Sequence, residues 1–172
     1  MRRAADLALA FDRTFSEPPV GVAEETEGLL TLRAGDGTYA VRLAEIIGLF
    51  ADRTIVRLPS PVSEFLGVVG LRQDVVPVYS LRGLLGDAAR GDAPRWLIVA
   101  RAAHPVAFAF DRFEAYLRVP PSAVLLTADD AAPAHLRASV RLVDGVRRIV
   151  SIAALLETIE DRIRRLGITK EP

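Results

Sequence analysis

The sequence predicts a mainly β protein: two small five-stranded barrel lobes on a shared core, with one helix at the C-terminal end. Three observations carry this reading. Short apolar runs rich in β-branched residues alternate with polar turn residues along most of the chain. The runs recur in two registers, as an internal repeat. From Ile152 the apolar period changes to that of a helix.

Residues 1–28 stand apart. Leu7, Ala8 and Phe11 share one side of a short helix over Ala4–Phe15, and Pro18-Pro19 stops it. Glu24, Glu25 and Glu27 make the approach to the first strand acidic. This leader is expected either to be flexible or to dock a partner through its helix.

Leu29–Arg33 and Thr38–Leu43 are expected strands around Gly35-Asp36-Gly37, a strong hairpin turn. Ala44–Phe50 reads as a helical turn running into a strand, and Thr54–Leu58 as a strand. Pro59 and Pro61 break the chain before a single turn over Val62–Leu66, capped by Ser60. The densest pattern follows, Phe65–Gly86, which reads FLGVVGLRQDVVPVYSLRGLLG. Its runs Val68–Leu71 and Val75–Tyr79 flank the polar knot Arg72-Gln73-Asp74: strand, tight turn, strand. Pro77 has no N–H for a ladder, so its nitrogen must face an edge or a bulge. Gly67 and Gly70 suit places where the backbone bends or another surface comes close. Ser80 can cap a short helical turn ending at Gly83 or Gly86.

Asp87–Pro94 is a polar loop. Arg95–Arg101, Val106–Phe110 and Phe113–Val119 read as strands, and Pro120–Pro133 as a long irregular connection. Ala138–Val143 and Val146–Val150 flank Asp144-Gly145, a second strong hairpin signal. Ile152, Leu155, Leu156, Ile159, Ile163 and Leu166 then fall on one helical stripe opposite Glu157, Glu160, Asp161, Arg164 and Arg165. Ser151 and Gly167 suit its two caps, so the helix segment spans 152–168.

The repeat is apolar rather than identical. Leu30 aligns with Leu97, Ala40-Val41 with Ala107-Phe108, Ile46 with Phe113 and Phe50 with Leu117, all at one offset. At a nearby offset Val69 matches Val140, Leu71 matches Leu142, Val78 matches Ile149, and Ser80-Leu81 matches Ser151-Ile152. Each half thus holds about five short strands, the second half starting at about residue 95. Strands this short must curl or stack to bury one face, and two barrels back to back do so.

Little in the sequence points to chemistry. The 22 basic and 22 acidic residues balance, which favours neither nucleic acid nor an anionic membrane as partner. There is no cysteine, so no disulfide or thiolate site. Asp6 and Asp12 interrupt the apolar stretch behind Arg2-Arg3, unlike a signal peptide, and no window has the ~18 uncharged apolar residues of a membrane span. The reading is a soluble cytoplasmic protein. His104 and His135 lie in loops without a second ligand at metal spacing, and read as solvated. No serine has a nucleophile-elbow context, and no Gly-rich phosphate loop appears. An oligonucleotide-binding barrel would need a basic, aromatic face. Phe108, Phe110, Phe113 and Tyr116 instead occupy apolar strand positions, and Trp96 is expected in the core.

The stretch Phe65–Gly86 resembles the signature of CheW-like domains, the adaptor domains of bacterial chemosensory arrays. It has the glycine, the apolar strand, the leucine-arginine step at Leu71-Arg72, the Val-Pro-Val strand and the short helix ending Leu-Leu-Gly. Gln73 stands where a glycine is usual and Ser80 where an aspartate is usual. Weaker similarity extends over 29–156. The resemblance implies two SH3-like barrels and a non-catalytic scaffold without cofactors. It would couple the cytoplasmic signalling tip of chemoreceptors to the regulatory domain of a CheA-type histidine kinase at receptor arrays. The partner-binding positions it implies are Ile46, Gly48, Phe50, Gly67, Leu71 and Arg72, with Gly48 in place of a frequent acid. A divergent paralogue serving only one of those partners is the alternative. Further alternatives from other classes are a ligand-binding or esterase-like barrel and a structural module docked through its N-terminal helix. If the turn keeps the family's shape, Gln73 sits at positive φ and Gln73→Gly relieves it.

Overall fold

The computed structural model describes residues 25–87, 94–127 and 131–167. The leader therefore lies outside the described residues except for its last four. Among the described residues eleven strands form two sheets. The six-stranded sheet holds β1 (Glu27–Ala34), β2 (Gly37–Arg42), β8 (Arg112–Val119), β9 (Val124–Leu126), β10 (Ala138–Leu142) and β11 (Gly145–Val150), in the order β8-β1-β2-β11-β10-β9. The five-stranded sheet holds β3 (Ile46–Ala51), β4 (Phe65–Leu71), β5 (Asp74–Ser80), β6 (Trp96–Ala100) and β7 (Ala107–Phe110), in the order β3-β6-β7-β5-β4. Helix α1 (Leu81–Leu84) follows β5, and α2 (Ile152–Arg165) follows β11.

The two sheets run in matching strand orders, and each draws strands from both sides of residue 95. β1 to β5 correspond in order to β6, β7, β8, β10 and β11. Each sheet takes its first and second strands from one repeat and its third, fourth and fifth from the other. In those terms both sheets run third-first-second-fifth-fourth. The two parallel pairings that join the repeats match in register: Val78 faces Ala107 in one sheet as Ile149 faces Ala40 in the other. Even the irregularities repeat. Ile47 is the extra residue between β3 and β6, and Glu114 occupies the corresponding place between β8 and β1. Neither half can therefore close its own sheet.

The exchange explains why the central strands are apolar at nearly every position. Alternation sends Leu29, Ala40 and Ile149 into the six-stranded lobe, and Leu97, Val99 and Ala107 into the five-stranded lobe. Their neighbours Leu30, Val41, Val150, Ile98 and Phe108 enter one cluster shared by both. Strands covered on both faces read as continuous apolar runs. Thr31 is the buried polar residue among them, and its Oγ1 donates to the Ala115 carbonyl at 3.2 Å.

Helix α2 seals the shared core with Ile152, Leu155 and Ile159. The Ser151 hydroxyl accepts from the Ala154 N–H at 3.4 Å, and Gly167 ends the helix at φ 69°. A second cap comes from the linker between β2 and β3: the Glu45 carboxylate accepts from the Ile152 N–H at 2.8 Å. Arg162 forms an ion pair with Glu64 at the foot of β4. Trp96 lies at the margin of the core, its ring stacked on Phe110 at 6.5 Å and tilted against Phe113 at 5.6 Å.

Three expectations need correction. Thr54–Leu58 is not a strand; it touches the sheet through one bridge, Val56 to Val68. The connection Pro120–Pro133 contains β9, which pairs with β10. His135 is half-buried beneath α2, its carbonyl accepting from the Ser151 N–H. Burial and the nearby Arg162 charge lower its pKa, because desolvation disfavours the imidazolium.

Candidate partner-binding site

The β4–β5 hairpin turns through two residues, Arg72 and Gln73, with Leu71 facing Asp74. Neighbouring segments flank its strands. Val68 exchanges backbone hydrogen bonds with Val56 on the outer side of β4. Val68 and Pro77 are therefore a non-hydrogen-bonded pair, and the Pro77 nitrogen points away from β4. On that side the ladder to β7 begins only at Val78, so no ladder N–H is asked of Pro77. Ser80 accepts from the Gly83 N–H at 3.2 Å, and Gly86 follows α1 at φ 90°.

The six expected partner-binding positions do not form one exposed patch. Arg72 is exposed at the tip and makes no ion pair or hydrogen bond among the described residues. Leu71 is buried beneath it and shares the five-stranded lobe's core with half-buried Phe50. Ile46 lies in the shared core. Gly48 sits under the Phe50 ring, where an added Cβ would lie 2.7 Å from ring carbon Cε2. Gly67 is buried at φ 136° in the β4 bulge, and an added Cβ would lie 2.1 Å from the Val56 carbonyl oxygen. That glycine is required by the backbone, because any side chain there collides with main chain.

Exposed apolar side chains lie near these positions, at places the sequence did not single out. Val75 is 72% exposed beside the tip, and Ile47 is 55% exposed in the β3 bulge. Val75 opens a β-branched run, and alternation with buried Val76 and Val78 puts it outside. The Arg53 guanidinium lies over the Phe50 ring, 5.7 Å from its centroid.

The turn also corrects the expectation for Gln73. Positive φ falls on Arg72, at 57°, and not on Gln73. Gln73→Gly is therefore expected to destabilise by about 0.5–1 kcal/mol, by loosening the unfolded chain. Arg72→Gly should instead stabilise by up to about 1 kcal/mol, since left-handed backbone costs a side-chain-bearing residue about 1–2 kcal/mol and glycine's extra unfolded entropy returns part of that. Urea unfolding of the two variants reads the signs directly. Matching signs would mean that the turn has another shape.

The family model of the CheW-like domain matches residues 28–160, which is most of the chain. The protein belongs to the CheW-like domain family. Its CheW-like fold is also seen in the scaffolding protein TtCheW from Thermoanaerobacter tengcongensis, a solved structure with a TM-score of 0.69. The two are 14% identical, and the match covers 77% of this chain and 94% of that one. A comparison with curated proteins finds no match. In the CheW-like domain described here, no helix among the described residues is long and apolar enough to cross a membrane. No metal-binding group of His, Asp and Glu is found among them either.

Proposed function

We propose that this CheW-like protein is a non-catalytic scaffold that couples the cytoplasmic signalling tip of chemoreceptors to the regulatory domain of a CheA-type histidine kinase. It would act in the cytoplasm, at receptor arrays. One observation carries the reading beyond family membership: a two-residue tip presents the Arg72 guanidinium, unpaired among the described residues, beside exposed Val75. A permanently charged planar fork next to an apolar side chain is the composition of an interface hot spot.

Affinity purification from the native cell tests it. A CheA-type kinase or a receptor, recovered with the wild-type chain and lost with Arg72→Glu, is the expected result. Recovery that is indifferent to Arg72 would move the site elsewhere. Retention of neither partner would favour a module of another class.

A second reading, an adaptor for one of the two partners, has its own observation. Ser80 spends its hydroxyl on the Gly83 N–H, so the position where the family usually has aspartate offers no charge. Separate titrations with kinase domain and receptor tip distinguish the two readings.

A further inference from the structure

We infer that the free edge of β8 is a second docking surface, which takes an extended partner segment of alternating apolar and acidic residues as an added strand. This surface lies on the six-stranded lobe, whereas the Arg72 tip belongs to the other sheet. β8 closes one end of its sheet and pairs only with β1 among the described residues. Eight residues of strand thus carry one unpaired row of N–H and C=O groups, the template for strand addition.

The edge borders a cleft of about 480 Å3 between β8 and the β10–β11 hairpin. Its floor is buried Thr31, and Leu117, Val119 and Leu142 give it apolar walls. The corresponding gap in the five-stranded lobe is crossed by the bridge from Val56 to Val68. Arg118 and Arg141 flank the cleft, both exposed and neither paired with a carboxylate among the described residues. Among the described residues, the Arg118 side chain donates only to the Tyr116 hydroxyl. By contrast, Arg147 on the same cleft is held by Glu114 and Asp144.

These features select the occupant's chemistry. On an added strand, alternate side chains face the cleft and the residues between them face outward. Ala115, Leu117 and Val119 are the cleft-facing set of β8, and Arg118 lies in the outward set. Apolar residues then fill the cleft while the acidic residues between them meet Arg118 and Arg141. A uniformly apolar segment would leave both cations unpaired. A folded acidic surface would leave the backbone row and the cleft unused.

The probe is a fluorescein-labelled, end-capped octapeptide of alternating glutamate and valine, titrated into the full chain by fluorescence anisotropy. Saturable binding is expected, weakened at least about tenfold in the Arg118→Glu, Arg141→Glu double variant. The same peptide with alternate amides N-methylated should not bind, because a ladder cannot form on it. Circular dichroism checks that the variant is folded, and Arg118→Gln with Arg141→Gln provides a milder pair. No saturation, equal binding of the N-methylated peptide, or indifference to both pairs of substitutions would overturn the inference. Binding that appears only after removal of residues 1–24 would overturn it in favour of the chain's own leader. A dimer in sedimentation that refuses the peptide would assign the edge to a second copy.

Discussion

Leu155→Ala is expected to lower the stability of the protein by about 2–4 kcal/mol, a fall of about 5–15 °C in melting temperature for a chain of this size. Leu155 has no exposed surface, and it sits in the cluster shared by both lobes. Alanine there leaves a void bounded by strands of both sheets, which cannot collapse independently. Ile159, one turn on and 4% exposed, should behave alike, whereas Leu166, 50% exposed, should cost little. Losses below about 0.5 kcal/mol at both buried positions would show that α2 is not docked. The docking also depends on acidity. Burial alone would raise the Glu64 pKa, but hydrogen bonds from Arg162, Ser63 and its own backbone, with the Arg162 charge, carry it below the usual value. The contribution of this pair is therefore full above the unfolded carboxylate pKa, and it is lost as pH falls through the lower folded value.

Arg72→Glu is expected to weaken binding of the kinase regulatory domain or the receptor tip at least about 30-fold, the effect of losing about 2 kcal/mol at an interface centre. Stability should stay almost unchanged. An exposed unpaired charge is worth under about 1 kcal/mol to folding. Glutamate also bears the same backbone cost as arginine at φ 57°, so the substitution does not disturb the turn. Calorimetry against each partner, with circular dichroism alongside, separates the effects. Unchanged affinity for both partners would remove Arg72 from the site, and a collapsed spectrum would make it a structural residue. Arg72→Gly adds a cross-check, since it should lose affinity while gaining stability.

The hairpins and the C-terminal helix were legible because each depends on residues close in sequence. Asp144-Gly145 marks its turn, Ser80 and Ser151 make the hydroxyl-to-backbone caps expected of them, and the stripe packs as its period requires from Ile152 to Ile163, with Leu166 left exposed. Thr54–Leu58 misled because β-branched residues favour an extended chain, while a ladder needs a neighbour with free backbone groups. Val56 finds that neighbour only at Val68. The three residues of β9 are too few to show a period, and their partner β10 supplies the evidence for a strand. At the candidate site, the sequence placed Arg72 at a tip but not the positive φ on that residue, since the turn's shape follows from how β4 and β5 meet.

By itself the sequence determined most of the local elements, an apolar repeat in two registers and a chain without cysteine or any charge excess. Only the tertiary structure decided which repeat completes which sheet. Alternation fixes which side chains share a face, but both faces of β1, β2, β6 and β7 are apolar, so period alone cannot say which face meets which lobe. That choice comes from the parallel pairings of β2 with β11 and β5 with β7. They join residues far apart in sequence, and they form because exchanged hairpins bury both faces at once.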